Sequence, residues 1–279
     1  MKELIEELER SQKALRGVTK ILKEWGKLEK AEGINLSKLQ SLQKRAKKAV
    51  EGIPEGPLRE RLFIWLKELE NTARGAMEEA RFSFGRELAK AFEREKIQLK
   101  GRIPKFLVGP YAIEVDFERG RARITFGYNK VRDNLPLETQ SIVKALINTR
   151  KEIERAFDPQ KSADIVFDAY MRSLKILDKP MGERIPIMEV LQQVVFMLQG
   201  PGFRSDPRRE NFKGLGRSQF AMMLYNIRAS GILARRRYAP CLATATFDAT
   251  RKRENFLWIP DNLMGEGTTY AYMSFRESN

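Results

Sequence analysis

Apolar residues in the first hundred positions recur at helical spacing. Leu4, Leu8, Leu15, Val18, Leu22 and Trp25 step by threes and fours, with Ser11 interrupting. That spacing predicts a helix with a heptad seam over residues 1–31, ended by Gly33 and Asn35. Leu36, Leu39 and Leu42 start a second helix that runs to about Val50, with Lys44, Arg45, Lys47 and Lys48 on its polar side. After a turn at residues 52–57, Leu58, Leu62, Leu66 and Leu69 open a third helix. It continues through Ala73, Ala76 and Ala80 to Phe84, Leu88 and Phe92, ending near Leu99. Residues 1–100 therefore read as a coiled-coil-like helical hairpin or bundle, an assembly module. Its seam calls for a second copy, a protein partner, or cover from its own third helix.

From residue 101 the period changes to two. Ile113, Val115 and Phe117 alternate with Glu114, Asp116 and Glu118. After Arg119 and Gly120, the alternation resumes through Ala122, Ile124 and Phe126, which predicts a β-hairpin with one buried face. Helices are expected over 137–157, stopped by Asp158 and Pro159, and over 162–178. These elements make a middle segment, 101–180. Residues 181–279 read as a separate unit. Ile187, Val190, Leu191, Val194, Val195 and Leu198 form an apolar helix ended by Gly200, Pro201 and Gly202. Ser205, Asp206 and Pro207 then open a short polar helix. Gly214, Leu215 and Gly216 make a tight turn, and Ser218 caps a helix reaching Ser230. Strands are expected over 242–247, 256–259 and 268–275.

The order helix, helix, tight turn, helix, strand pair over residues 184–276 resembles a winged helix–turn–helix domain. Gly214 to Gly216 stand as its turn, Ser218 to Ser230 as its recognition helix, and Gly231, Ile232 and Leu233 as the exit into the wing. The expected fold class is mainly α with a small α+β part: helical hairpin or bundle, central β-hairpin with helices, then a C-terminal winged helix. On the third helix, Phe220, Met223, Leu224 and Ile227 share one face. Ser218, Met222, Tyr225, Asn226 and Ala229 fall opposite, with Gln219 and Arg228 on the flanks. In a helix-turn-helix the start of the second helix enters the major groove. Arg217, Ser218, Gln219 and Asn226 are then the expected base readers, because Arg matches guanine and Gln or Asn matches adenine. Met222, Tyr225 and Ala229 would also suit a protein partner.

Charge sharpens this reading. The chain has 279 residues, 52 Lys and Arg, 37 Asp and Glu, and a net charge of +15. Residues 201–260 hold 12 basic and 4 acidic residues, net +8, just over half the excess. Arg208, Arg209, Lys213, Arg217, Arg235, Arg236, Arg237, Arg251, Lys252 and Arg253 form one expected phosphate-gripping rim. With no His and only Cys241, His-based triads, His-ligated metals, internal disulfides and Cys cages are excluded. No P-loop is present. No catalytic residue, cofactor or metal is expected. No signal-like start and no long apolar run occur, so the protein is expected in the cytoplasm, off the membrane. The leading expectation is a non-enzymatic nucleic-acid-binding protein, for duplex DNA, with RNA as a further ligand through the hairpin aromatics Tyr111, Phe117, Phe126 and Tyr128. A second reading is a non-catalytic subunit of a DNA-processing complex, docked through the helical arm and winged helix. A third, weaker one is a magnesium nuclease using Glu114, Asp116, Glu118 and Lys130, although those acids also suit cross-strand pairing with Arg121 and Arg123.

Overall fold

The computed structural model describes residues 1–29, 36–155, 157–232 and 238–277. Two compact units emerge, residues 1–87 and 88–279. The protein is mainly helical with two antiparallel sheets. Among the described residues no helix is long and apolar enough to cross a membrane.

The first unit is built from α1 (Lys2–Glu29), α2 (Leu36–Glu51) and the first part of α3 (Pro57–Arg94). Val18 and Ile21 of α1 meet Leu39, Leu42, Ala46 and Val50 of α2 and Leu62, Leu66 and Leu69 of α3 in one core. A two-pronged ion pair joins α1 to α2: the Arg45 guanidinium donates to both Glu24 oxygens, at 2.8 and 3.2 Å. That contact holds the Glu24 carboxyl below its ordinary pKa.

The expected single seam on α1 is split here. Ala14, Val18, Ile21, Trp25 and Leu28 face inward, whereas Leu8, Leu15 and Leu22 are 63%, 39% and 39% exposed. The leucines lie roughly 90° round the helix from Val18 and Ile21, beyond the arc that two neighbouring helices cover.

The second unit opens with a five-stranded antiparallel meander: β1 (Lys100–Arg102), β2 (Lys105–Val108), β3 (Tyr111–Asp116), β4 (Arg121–Phe126) and β5 (Asn129–Pro136). The predicted hairpin is its centre, with Ile113 opposite Ile124 and Val115 opposite Ala122. Two helices follow, α4 (Thr139–Ile153) and α5 (Pro159–Ile176). Asp158 starts the second of them. Its carboxylate caps α5 by accepting from the Gln160 and Lys161 amides, at 2.8 and 3.1 Å.

β6 (Ile185–Pro186), α6 (Ile187–Met197), α7 (Pro201–Ser205), α8 (Arg217–Ala229), β7 (Tyr238–Thr244), α9 (Phe247–Thr250), β8 (Leu257–Pro260) and β9 (Gly267–Glu277) complete the unit. β9 is the spine of the second sheet. It pairs with β7 along one edge and, along the other, with β8 at its start and β6 at its middle. The short helix expected after Ser205 is instead α7, ahead of that serine, followed by a 3₁₀ turn at Arg209–Asn211.

The sequence suggests a domain break near residue 180, yet residues 88–279 share one body. Tyr170 of α5 lies 5.1 Å from the Phe275 ring of β9, and its hydroxyl donates to the Glu183 carbonyl at 2.8 Å. Phe126 of the first sheet meets Trp258 of the second edge-on at 5.2 Å. Burying these rings together removes large apolar areas that two separate domains would leave wet.

Candidate nucleic-acid interface

Gly216 caps α8, and its amide donates to the Gln219 Oε1 at 2.8 Å. Phe220, Met223, Leu224 and Ile227 are buried, matching the apolar face read from the sequence. The opposite face is not free. Met222 is 3% exposed and Ser218 8%, so the expected outward set is corrected at these two positions. α8 packs against α4 and α5 as well as β8, which covers it on more than one side. Tyr225 and Asn226 are half-buried, and Ala229 is exposed.

The first turn of α8 is occupied by this chain's own atoms. The Arg217 guanidinium donates to the carbonyls of Arg253 and Phe256, lies 5.8 Å from the Phe256 ring centre, and leaves its buried Nε without a partner. Gln219 Nε2 donates to the Glu152 carbonyl at 3.0 Å. Ser218 Oγ sits 3.5 Å from Asn129 Nδ2. Arg228 similarly reaches the Pro260 carbonyl and the Asp261 carboxylate. A guanidinium that bridges backbone carbonyls is a fixed structural cation, with little reach left for a base edge.

A cleft of about 340 Å³ opens beside this turn, lined by Lys130, Arg132, Glu152, Arg217, Gln219 and Arg253 among others. Two of its cations are matched: Lys130 bonds Asp133 at 2.8 Å, and Arg132 grips Glu152 at 2.6 and 2.7 Å. Arg217 and Arg253 have no carboxylate partner among the described residues. Arg253 Nη2 instead donates to Asn129 Oδ1 at 2.9 Å and to the Tyr128 carbonyl at 3.4 Å. Burial, then the neighbouring Arg253 charge, holds the Arg217 guanidinium below its ordinary pKa. Two adjacent guanidiniums fixed by neutral acceptors leave a net positive field in a recess, which favours an anion.

Beside the cleft stands an exposed ring. Phe126 and Asn129 close a two-residue turn whose first member, Gly127, has φ +51°. That is the geometry for which glycine is favoured at the first hairpin position. A Cβ on Gly127 would run into the Trp258 indole. Tyr128 at the tip is 66% exposed and rests on the edge of buried Phe256, 5.9 Å between ring centres at 84°.

The other expected rim residues divide by partner. Arg208 pairs with Asp206 at 2.7 Å. Arg251 pairs with Asp248 at 3.4 Å and lies over the Phe247 ring at 5.3 Å. Arg209, Lys213 and Lys252 are exposed, with no carboxylate partner among the described residues. Arg235, Arg236 and Arg237 lie outside the described residues. The residues between the expected strands 242–247 and 256–259 fold into α9 and a 3₁₀ turn at Arg253–Asn255. Arg132 was invisible as a site residue in the sequence, since β5 carries few apolar side chains and no alternating pattern.

The strand acids have ordinary partners: Glu114 with Arg123 at 3.2 Å across the strands, and Asp116 with Arg119 at 3.7 Å. Among the described residues no three His, Cys, Asp or Glu side chains converge as a metal site. Of the hairpin aromatics, Tyr111 and Phe126 are core residues, 1% and 0% exposed, and Tyr128 alone is strongly exposed. Comparison with protein-family models, curated proteins and solved structures found no match for the chain.

Proposed function

We propose that this is a non-enzymatic nucleic-acid-binding protein whose C-terminal unit grips phosphates through arginine and lysine side chains. The observation that carries the reading is the Arg217–Arg253 pair, two neighbouring guanidiniums in one cleft without a carboxylate between them. Such a pair is costly for the folded chain alone and is offset electrostatically by a bound phosphate. Lys252, one residue away and at the surface, extends the same positive edge. A winged-helix-like arrangement remains our reading of α6, α8, β7 and β9, supported by the strand order β6-β9-β7 with β9 returning between its neighbours.

Contacts to phosphate give affinity with little sequence choice. The inward-turned Arg217, Ser218 and Gln219 favour that mode over base reading by α8. A cytoplasmic site of action fits the single unpaired Cys241. Fluorescence anisotropy with labelled DNA and RNA at rising salt tests the reading. Affinity should fall linearly on a log–log plot of binding constant against salt; no binding at low salt refutes it.

A second role, docking of a protein partner or a second copy through the first unit, is favoured by exposed Leu8, Leu15 and Leu22 at a seven-residue period. Light scattering on the intact chain tests it, and a monomer mass at all concentrations counts against self-association.

A further inference from the structure

We infer that the strand held at this cleft is single-stranded, with an unpaired base stacked on Tyr128 and its neighbouring phosphates on Arg253 and Lys252. This rests on the nucleic-acid reading above and specifies the ligand within it. Three observations converge on one turn. Tyr128 is 66% exposed, whereas the hairpin rings Tyr111 and Phe126 are in the core. Its ring is held in place from below: buried Phe256 meets it edge-on, and Gly127 is fixed beneath the Trp258 indole. A ring already held needs little ordering when a base arrives, so more of the stacking energy appears as affinity.

The third observation is charge at the same spot. Arg253 reaches the Tyr128 carbonyl and Asn129 Oδ1, so the cation and the ring share one rigid corner. Alternation of an aromatic platform with cations that track a backbone is how proteins hold unpaired strands, because every base offers a π-face. In a duplex those faces are already stacked inside the helix and cannot reach Tyr128. A duplex would have to be read through groove contacts, and of the α8 residues expected to make them Arg217 and Gln219 are bonded to this chain's own carbonyls and Ser218 is buried.

Exposure alone does not define the platform. Phe247 is more exposed, at 78%, yet Arg251 lies over its ring and is itself paired with Asp248. That ring is already covered on one face and sits beside a neutralised pair. It therefore serves as the internal control.

The experiment titrates the intact protein against oligothymidine, oligouridine and a blunt DNA duplex of equal length at one salt concentration. Tighter binding of either single strand than of the duplex is expected. Tyr128→Ala should weaken single-strand binding roughly 5- to 150-fold and leave duplex binding as it was. Tyr128→Trp should keep single-strand affinity, and Phe247→Ala should keep it too. The inference is overturned if Tyr128→Ala binds single strands like the parent, or if it loses equally on the duplex. It is also overturned if Phe247→Ala loses as much as Tyr128→Ala. Unchanged melting of the variants shows that folding is not the cause of a loss. If the parent binds none of the three nucleic acids, the nucleic-acid reading itself fails, which is a distinct outcome from binding that ignores Tyr128.

Discussion

Replacing Lys252 and Arg253 together with glutamine should reduce the salt dependence of binding by a definite amount. Both side chains are exposed and neither has a carboxylate partner among the described residues, so each can displace a counterion from a phosphate. The fold should survive, because Arg217 holds the Arg253 backbone carbonyl rather than its side chain. Each phosphate neutralised contributes about 0.7 to the slope of log affinity against log salt for a single strand, and about 0.9 for a duplex. Removing both cations should therefore flatten the slope by about 1.4 on single strands and by about 1.8 on duplex DNA. Between roughly 50 and 200 mM salt, a slope smaller by about 1.4 means that affinity for a single strand falls about sevenfold less. Anisotropy titrations across that salt range resolve such a change. The comparison variant is Arg251→Gln with Asp248→Asn, which deletes an ion pair of zero net charge and should leave the slope in place. A double glutamine variant with the parental slope would show that this corner does not touch phosphate, whatever its effect on affinity.

Tyr111 is 1% exposed, and its buried hydroxyl faces the Glu154 carboxylate without a hydrogen bond of ordinary geometry. Tyr111→Phe should raise stability by about 1–3 kcal/mol in urea unfolding, since it removes an unsatisfied buried donor; a decrease would show that the hydroxyl is satisfied in solution. Burial first, then the Glu154 charge, pushes the Tyr111 pKa above its ordinary value. A raised pKa in the folded state gives stability that is present below about pH 10 and declines as pH climbs beyond it. The parent's thermal midpoint should accordingly fall more steeply above about pH 10 than that of Tyr111→Phe. Gly127→Ala combines a positive φ with a collision against Trp258 and should cost more than about 1 kcal/mol, read by thermal melting. Leu39→Ala, at a 1% exposed position, should cost about 2–5 kcal/mol in the same assay. Leu8→Ala should stay within about 0.5 kcal/mol unless a second molecule covers it.

Local pattern alone carried the β3–β4 hairpin and the three N-terminal helices, because alternation and helical spacing each record one solvent boundary running along one element. The inner face of α8, with Phe220, Met223 and Ile227, was legible for the same reason. Whether a second side of that helix was also covered was not. Met222 and Ser218 look like surface residues beside polar neighbours, and only the arrival of α4, α5 and β8 from distant sequence buries them. β5 carries no alternating pattern because its residues are mostly polar, yet it becomes a strand by completing the hydrogen bonds of β4. The same limit applies to the site. Net charge pointed to a polyanion, but a row of arginines in sequence says nothing about which are neutralised. Local spacing gave Arg208 and Arg251 to acids two and three residues earlier, whereas tertiary structure set Arg217 across the carbonyls of residues 36 and 39 positions away. Arg253 went to Tyr128 and Asn129, 125 and 124 residues earlier in the chain. Charge is a property of the side chain, whereas its availability depends on which acceptors the folded chain brings within hydrogen-bonding reach of it.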